Sequence, residues 1–398
     1  MPLKKNSKPR IAMLGHKRVP SREGGVEIVV EKISTRMANL GLDVTCYNRK
    51  GHHVSGSDFD GSKLKEFNNV KLKNVFTVDK KGLAAMTSSV SAAICAAFGN
   101  YDIVHFHAEG PCAMLWLPKL FGKKCIATIH GLDHQRDKWG NFASKYILFG
   151  EKSAVKFADE IIVLSKNLQN YFINEYGRET VCIPNGVEKP EILSDIHINN
   201  RYGLSKNDYI LFLGRLVPEK GVDYLIEAYK NLKTDKKLVI AGGSSDTTDF
   251  EVQLKNSALD NENIIFTGFV DGVILEELFS NAYIYVLPSN LEGMPLSLLE
   301  AMSYGNCCLT SDIPECAEVL CEFGVTFEKG NVNDLTEKLQ FLCDSEIEVE
   351  YFKERASDYI CNKYDWDSVV SKTLKLYGIL DNTTILSENK ENESLNYK

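Results

Sequence analysis

The chain has 398 residues, 44% hydrophobic and 25% charged, a globular composition too long for one ordinary core and therefore read as two domains. No apolar run approaches the roughly 20 residues that span a bilayer, and the basic start MPLKKNSKPR passes into a strand-like IAMLG too short for a secretory core. The net charge of −8 hides a split, because residues 1–190 carry 28 Lys and Arg against 18 Asp and Glu, whereas the remainder carries 18 against 36. Halves of opposite sign face different partners, with no nucleic acid expected among them. The eleven cysteines contain no C-x-x-C pair, and only Cys307 and Cys308 are adjacent. They read as buried thiols in a reducing compartment rather than as disulfides or structural zinc.

Ile11 to Gly15 reads as a first strand, followed by a glycine-bearing loop, Val19 to Gly25, and a helix from Val26 to Leu40. Leu42 to Tyr47 is the next strand, and the polar, glycine-rich stretch Asn48 to Val70 is expected to be a mobile loop. Val70 to Phe76, Ile103 to Phe106, Cys125 to Ile129, Ile161 to Leu164 and Val181 to Ile183 are further strands with helical patterns between most of them. The turn-rich PNGVEKP, Pro184 to Pro190, breaks the pattern. It then restarts with strands at Tyr209–Leu213, Leu238–Ala241, Ile264–Phe266, Tyr283–Leu287, Cys307–Leu309 and Val325–Phe327. Strands alternating with helices predict two doubly wound α/β domains, 1–190 and 191–364, with ligands beyond the carboxyl ends of the strands and so in the cleft between domains. An amphipathic last helix covers 365–380, and the polar tail 381–398 is expected to be disordered.

The most informative stretch is PSNLEGMPLSLLEAMSYG, Pro288 to Gly305. Pro295 sits where a helix tolerates it, at the first turn. Glu292 precedes that helix and Glu300 lies within it. The unpaired amides around Gly293, Met294, Pro295 and Leu296 offer a positive helix end to an anion. Two carboxylates beside an anion site call for hydroxyl groups to hold, and a nucleotide-sugar has both a diphosphate and hydroxyls. The alternative is an acidic surface loop.

The segment FLGRLVPEKG sends Arg215 and Lys220 out of a strand end, two cations suited to a diphosphate leaving group. Gly24 and Gly25 precede a helix, where bare amides can approach a phosphate. No G-x-G-x-x-G, Walker A, H-E-x-x-H or G-x-S-x-G motif occurs. His105 and His107 share a strand face, and His130, Asp133 and His134 follow another strand. A zinc site can be built from them, but histidines at strand ends also fit a polar cleft wall, which is the reading preferred here. His130 is placed to contact a sugar hydroxyl or orient an acceptor, with His107, Asp133 and Arg136 on the acceptor side. Asp58-Phe-Asp60 and Asp365-Trp-Asp367 match a metal-binding D-x-D pattern by chance, the second standing where Asp caps a helix.

Together EGMPLSLLE, GRLVPEKG, the early GG loop and PNGV resemble the retaining GT-B glycosyltransferases of family 4, over about Arg10 to Leu380. The resemblance implies two Rossmann-like domains facing across a cleft, with the last helix crossing back to brace the first. It assigns Glu300 to ribose hydroxyls, Glu292 to the donor sugar, and Arg215 and Lys220 to the diphosphate. It implies no cofactor and no metal, the nucleotide-sugar being a substrate. A narrower resemblance, over GGVEIVVEKISTRMANLGLDVTCYNRKG and HGLDHQRDKWG, is to bacterial capsule and exopolysaccharide rhamnosyltransferases acting on lipid-linked acceptors, although His134 replaces the aromatic residue expected there. The expected partners are therefore a nucleotide-sugar, a lipid-linked or other saccharide acceptor, and an anionic membrane surface. Lys4, Lys5, Lys8, Lys119, Lys123, Lys124 and the segment MLWLPKLFGKK suit peripheral docking on the cytoplasmic face of the inner membrane. A nucleotide-sugar epimerase and a non-catalytic binding module are the competing readings.

Overall fold

The computed structural model describes residues 8–51, 64–80, 82–135, 140–244 and 248–379. Most of the expected mobile loop, with Asp58 and Asp60, lies outside these residues, as do Lys4, Lys5, Arg136 and the tail 381–398.

One sheet holds β1 (Arg10–Leu14), β2 (Asp43–Arg49), β3 (Glu66–Phe67), β4 (Val70–Val75), β5 (Ile103–His107), β6 (Lys124–Ile129), β7 (Glu160–Val163) and β8 (Val181–Cys182), in the order β3-β4-β2-β1-β5-β6-β7-β8. The other holds β9 (Tyr209–Leu213), β10 (Lys237–Ala241), β11 (Ile264–Gly268), β12 (Ile284–Leu287), β13 (Cys307–Ser311) and β14 (Val325–Phe327), in the order β11-β10-β9-β12-β13-β14. Every pairing is parallel except β3 with β4. Of that hairpin, β4 is the strand expected at Val70 to Phe76, while β3 and the turn fall inside the stretch expected to be loop. The hairpin turns on Asn68 and Asn69, both at positive φ, which asparagine tolerates better than most residues.

The continuous apolar runs in the sequence are continuous because both faces of these strands are covered: Ile284–Leu287 is fully buried, as are Tyr209–Phe212. In each sheet the strand order reverses beside its first strand, between β1 and β5 and between β9 and β12. Loops splay apart at such a switch point and leave a crevice at the carboxyl ends of the strands. The expected GT-B arrangement of two Rossmann-like domains is the one observed.

The helix Trp366–Tyr377 returns to the first domain. Its Trp366, Val369, Leu374 and Tyr377 share a core with Val29, Val30, Ile33 and Met37 of the helix Gly25–Asn39. Asp365 caps it by accepting from the Ser368 amide at 2.7 Å, a structural use for this half of the second D-x-D.

Candidate active site

The loops at both switch points line one pocket. From the second domain, the turn after β12 carries Glu292, Gly293, Met294 and Pro295 into the helix Leu296–Ser303, with Glu300 one turn further on. No side chain caps this helix, so its first amides remain available to a ligand. Arg215 and Lys220 enter from the loop after β9. From the first domain come Arg22, Gly24, Gly25 and His130. The carboxylates separated by seven residues in sequence thus face one cavity with both predicted cations.

Lys220 is not a free cation awaiting phosphate. Its ammonium donates to Glu292 Oε1 at 2.5 Å, and the Ser289 hydroxyl donates to the same oxygen at 2.7 Å. Glu292 is only 9% exposed, so the pair is largely desolvated and each charge depends on the other. Glu300 takes a partner from across the cleft: Arg22 Nη1 donates to its Oε1 at 2.9 Å. Burial pushes the Glu300 carboxyl up, and Arg22 opposes that shift. Sequence reasoning missed Arg22 and Ser289. A cation two residues before a Gly-Gly helix start was the available signal for Arg22.

The two domains touch through backbone. A Cβ on Gly293 would lie 1.6 Å from the His130 carbonyl oxygen, so any other residue would drive the loops apart. Gly25 faces Leu296, whose Cδ1 would lie 3.4 Å from an added Cβ. Asn185, in the linker, donates from its side-chain amide to the Met294 carbonyl at 3.3 Å, and its own N–H points to the Met294 sulfur at 3.1 Å. Met294 is thereby held against the linker as well as bordering the pocket.

Behind His130 stands a row of imidazoles. His130 Nε2 and His107 Nδ1 share a hydrogen bond of 3.1 Å, and His107 stacks on His105 with centroids 4.2 Å apart. His105 lies between the hydroxyls of Tyr377, at 2.6 Å, and Thr128, at 2.7 Å. Burial lowers His130 to about 4 and His105 to about 3, so both are neutral imidazoles near pH 7. His107 is fully buried, which corrects its expected place on the acceptor side: it supports His130 from beneath and reaches no cleft surface. His134 also leaves the expected cleft wall, turning to Glu109 and Glu151 at 3.4 Å each. Asp133 is half-buried beside it, close enough to raise the affinity of His130 for a proton.

Two switch points facing across one pocket define the GT-B fold, and comparison with known proteins supplies the activity. Residues 23–189 match the Glycosyltransferase Family 4 domain and residues 197–359 the domain of Glycosyl transferases group 1, so the chain carries both halves of such an enzyme. An uncharacterized glycosyltransferase of Methanocaldococcus jannaschii is 25% identical over 89% of this chain and 94% of its own length. The N,N'-diacetylbacillosaminyl-diphospho-undecaprenol alpha-1,3-N-acetylgalactosaminyltransferase of Campylobacter jejuni is 29% identical over 57% of this chain and 62% of its own. The solved structure of Anabaena HepE in complex with UDP and glucose shares the fold, with a TM-score of 0.78 at 14% identity, covering 94% of this chain and all of that one. The protein is a glycosyltransferase acting on nucleotide-sugars in glycan biosynthesis. Among the described residues no helix is long and apolar enough to cross a membrane.

Proposed function

We propose that the enzyme moves a sugar, with retention and without a metal at the diphosphate, from a nucleoside-diphosphate donor to a lipid-linked saccharide. The observation supporting this most strongly is the shared pocket, in which uncapped amides, Arg215, Lys220 and two carboxylates converge. The diphosphate lies against the first turn of the helix Leu296–Ser303, with Arg215 and Lys220 matching its charge. Glu300 accepts from the ribose hydroxyls, and Arg22 closes that edge. Glu292, held by Lys220 and Ser289, lies beside the donor sugar, so one lysine couples the sugar carboxylate to the leaving group.

Retention then needs no carboxylate nucleophile. The bond from the anomeric carbon to the diphosphate oxygen breaks while the acceptor hydroxyl approaches from the same face. The departing phosphate oxygen takes that hydroxyl's proton. Arg215, Lys220 and the helix amides stabilise the charge developing on phosphate, where preorganised donors have their largest effect. His130, neutral and braced by His107, positions a hydroxyl.

The lipid-linked acceptor is supported by the name of the Campylobacter relative and by the surface around the helix Trp116–Leu120. Phe98 (70%), Leu120 (74%), Phe121 (46%) and Trp116 (39%) are exposed there. Part of the expected charge is already engaged, since Lys119 pairs with Asp159, Lys123 with the Gly99 carbonyl and Lys124 with that of Leu376. Docking on an anionic bilayer is therefore expected to be as much apolar as electrostatic. In vesicle flotation, substituting Leu120 and Phe121 by Ser should reduce recovery more than raising salt does.

A thermal-shift panel of uridine, guanosine and thymidine diphosphate sugars, with rhamnose among them, identifies the donor; a ligand at ~100 times its Kd stabilises by ~2.7 kcal/mol. Transfer of that sugar to a diphosphate-linked lipid saccharide, with the anomeric configuration read by NMR, completes the test. An inverted product, or epimerisation of the donor without acceptor, would overturn the reading.

A further inference from the structure

Away from the donor pocket, three side chains from separate elements of the first domain converge. Glu109 leads into the short turn Gly110–Met114 beyond β5, Glu151 lies in the helix Asn141–Phe157, and His134 sits in the turn Asp133–Gln135 beyond β6. The fold forces the first two together. A Cβ on Gly150 would stand 2.1 Å from the Glu109 carbonyl oxygen, so helix and turn are in backbone contact there and bring their acids to one point. Both glutamates are fully buried.

Their outward oxygens are satisfied. Glu109 Oε2 accepts from the His134 amide at 3.3 Å, and Glu151 Oε1 accepts from Tyr171, at 3.0 Å, and from Tyr176. The inward atoms, Glu109 Oε1, Glu151 Oε2 and His134 Nδ1, have no hydrogen-bond partner. All three lie within 4.8 Å of one another, and the imidazole nitrogen is 3.4 Å from each carboxylate oxygen.

We propose that these three atoms bind a zinc-class divalent cation, which fastens the loop carrying His130 to the body of the first domain. Zinc bound at about 2.1 Å in a tetrahedron sets neighbouring ligands about 3.4 Å apart, which is the observed nitrogen–oxygen separation. Two carboxylates and an imidazole are a borderline-hard donor set, suited to zinc or manganese rather than to copper(I). The outer oxygens are held by donors that orient the acids, as ligating carboxylates require. Electrostatics agrees, because two buried carboxylates, with Asp133 nearby, bring like charge to one point. A proton shared between the acids would relieve that charge but leave the imidazole 3.4 Å from either oxygen, a long hydrogen bond. A divalent cation satisfies all three. The loop secured in this way begins at His130, whose carbonyl abuts Gly293, so the ion would steady one wall of the donor pocket without touching donor or acceptor.

The test reads metal content and stability, and is independent of whether the glycosyl-transfer reading holds. Purified full-length protein, dialysed against chelating resin, is expected to retain about one equivalent of metal by elemental analysis. After stripping in strong chelator, adding zinc alone should raise the melting temperature by at least about 4 °C. His134→Ala leaves the helix and both buried acids in place, and should cut retained metal at least tenfold and abolish the zinc-induced shift. Glu151→Gln should do the same, and its circular dichroism spectrum shows whether it folds. Less than a tenth of an equivalent in the parent, no zinc-induced shift, or unchanged zinc binding in His134→Ala would overturn the proposal in favour of a proton-sharing acid pair.

Discussion

The two sides of the cleft share a reversal of strand order beside the first strand yet solve opposite problems. The second domain gathers charge at its switch point, where Lys220, Glu292 and Arg215 stand beside uncapped helix amides. The first domain places neutral rings at its own, where burial holds His105 and His130 far below the pH at which histidine is ordinarily charged. A diphosphate needs fixed positive charge close by. An acceptor hydroxyl needs orientation without a competing cation. The contrast teaches that one architecture becomes a donor site or an acceptor wall through what the strands at and beside the switch point release into the crevice.

Removing charge from the donor side should give the largest effect. Lys220→Ala takes away a diphosphate cation and leaves Glu292 buried without its ion partner, so kcat should fall by roughly 10²–10³. Steady-state kinetics with saturating donor measures it, and a fall below tenfold would mean that Lys220 is merely structural. Glu300→Ala should weaken donor binding by about 10- to 150-fold in titration calorimetry, from a charged acceptor worth ~1.5–3 kcal/mol. Its partner across the cleft should matter less. Arg22 is partly solvated, and an exposed ion pair is worth ~0.2–1 kcal/mol, so Arg22→Ala should shift donor affinity by no more than about fivefold. Equal losses from Arg22 and Glu300 would erase the distinction between the two sides.

The acceptor wall is tested by acid. His16, buried just beyond β1 and close enough to act on His107, is lowered to about 4 by burial, as His105 is to about 3, while in the unfolded chain both titrate near 6.5. Between those values the unfolded chain holds more protons, so stability rises with pH and is lost as pH falls from 6.5 towards 4. Thermal melts at closely spaced pH values should show a decline beginning above pH 5, before ordinary carboxylates protonate, and His105→Gln should flatten it. The smallest expected effect is from brief chelation: initial rates in EDTA should stay within about twofold of those with magnesium, because protein cations serve the diphosphate. A buried structural ion leaves too slowly to disturb rates taken within minutes. A tenfold loss restored by magnesium would bring a metal to the diphosphate.

Much of this was legible in the linear chain, for a local reason. Strands buried on both faces must be apolar throughout, so YILFL and YIYVL announced β9 and β12. The proline, glycine and glutamates of LEGMPLSLLE encode a loop entering a helix within ten residues. Backbone state and a helix-end anion site depend on neighbours in sequence, and those were available. Partnership across the fold was not. Arg22 meets Glu300 over 278 positions and Lys220 meets Glu292 over 72, while Glu109, His134 and Glu151 converge only because β5, β6 and the following helix lie side by side. Two histidines two residues apart on one strand promised a shared face, and they share it, but only the covering helix Trp366–Tyr377 and the loop after β6 decided that this face would be sealed. The sequence determined which residue types reach the ends of the strands; the order of those strands, a property of long-range packing, determined which of them are exposed to a substrate and which are buried with one another.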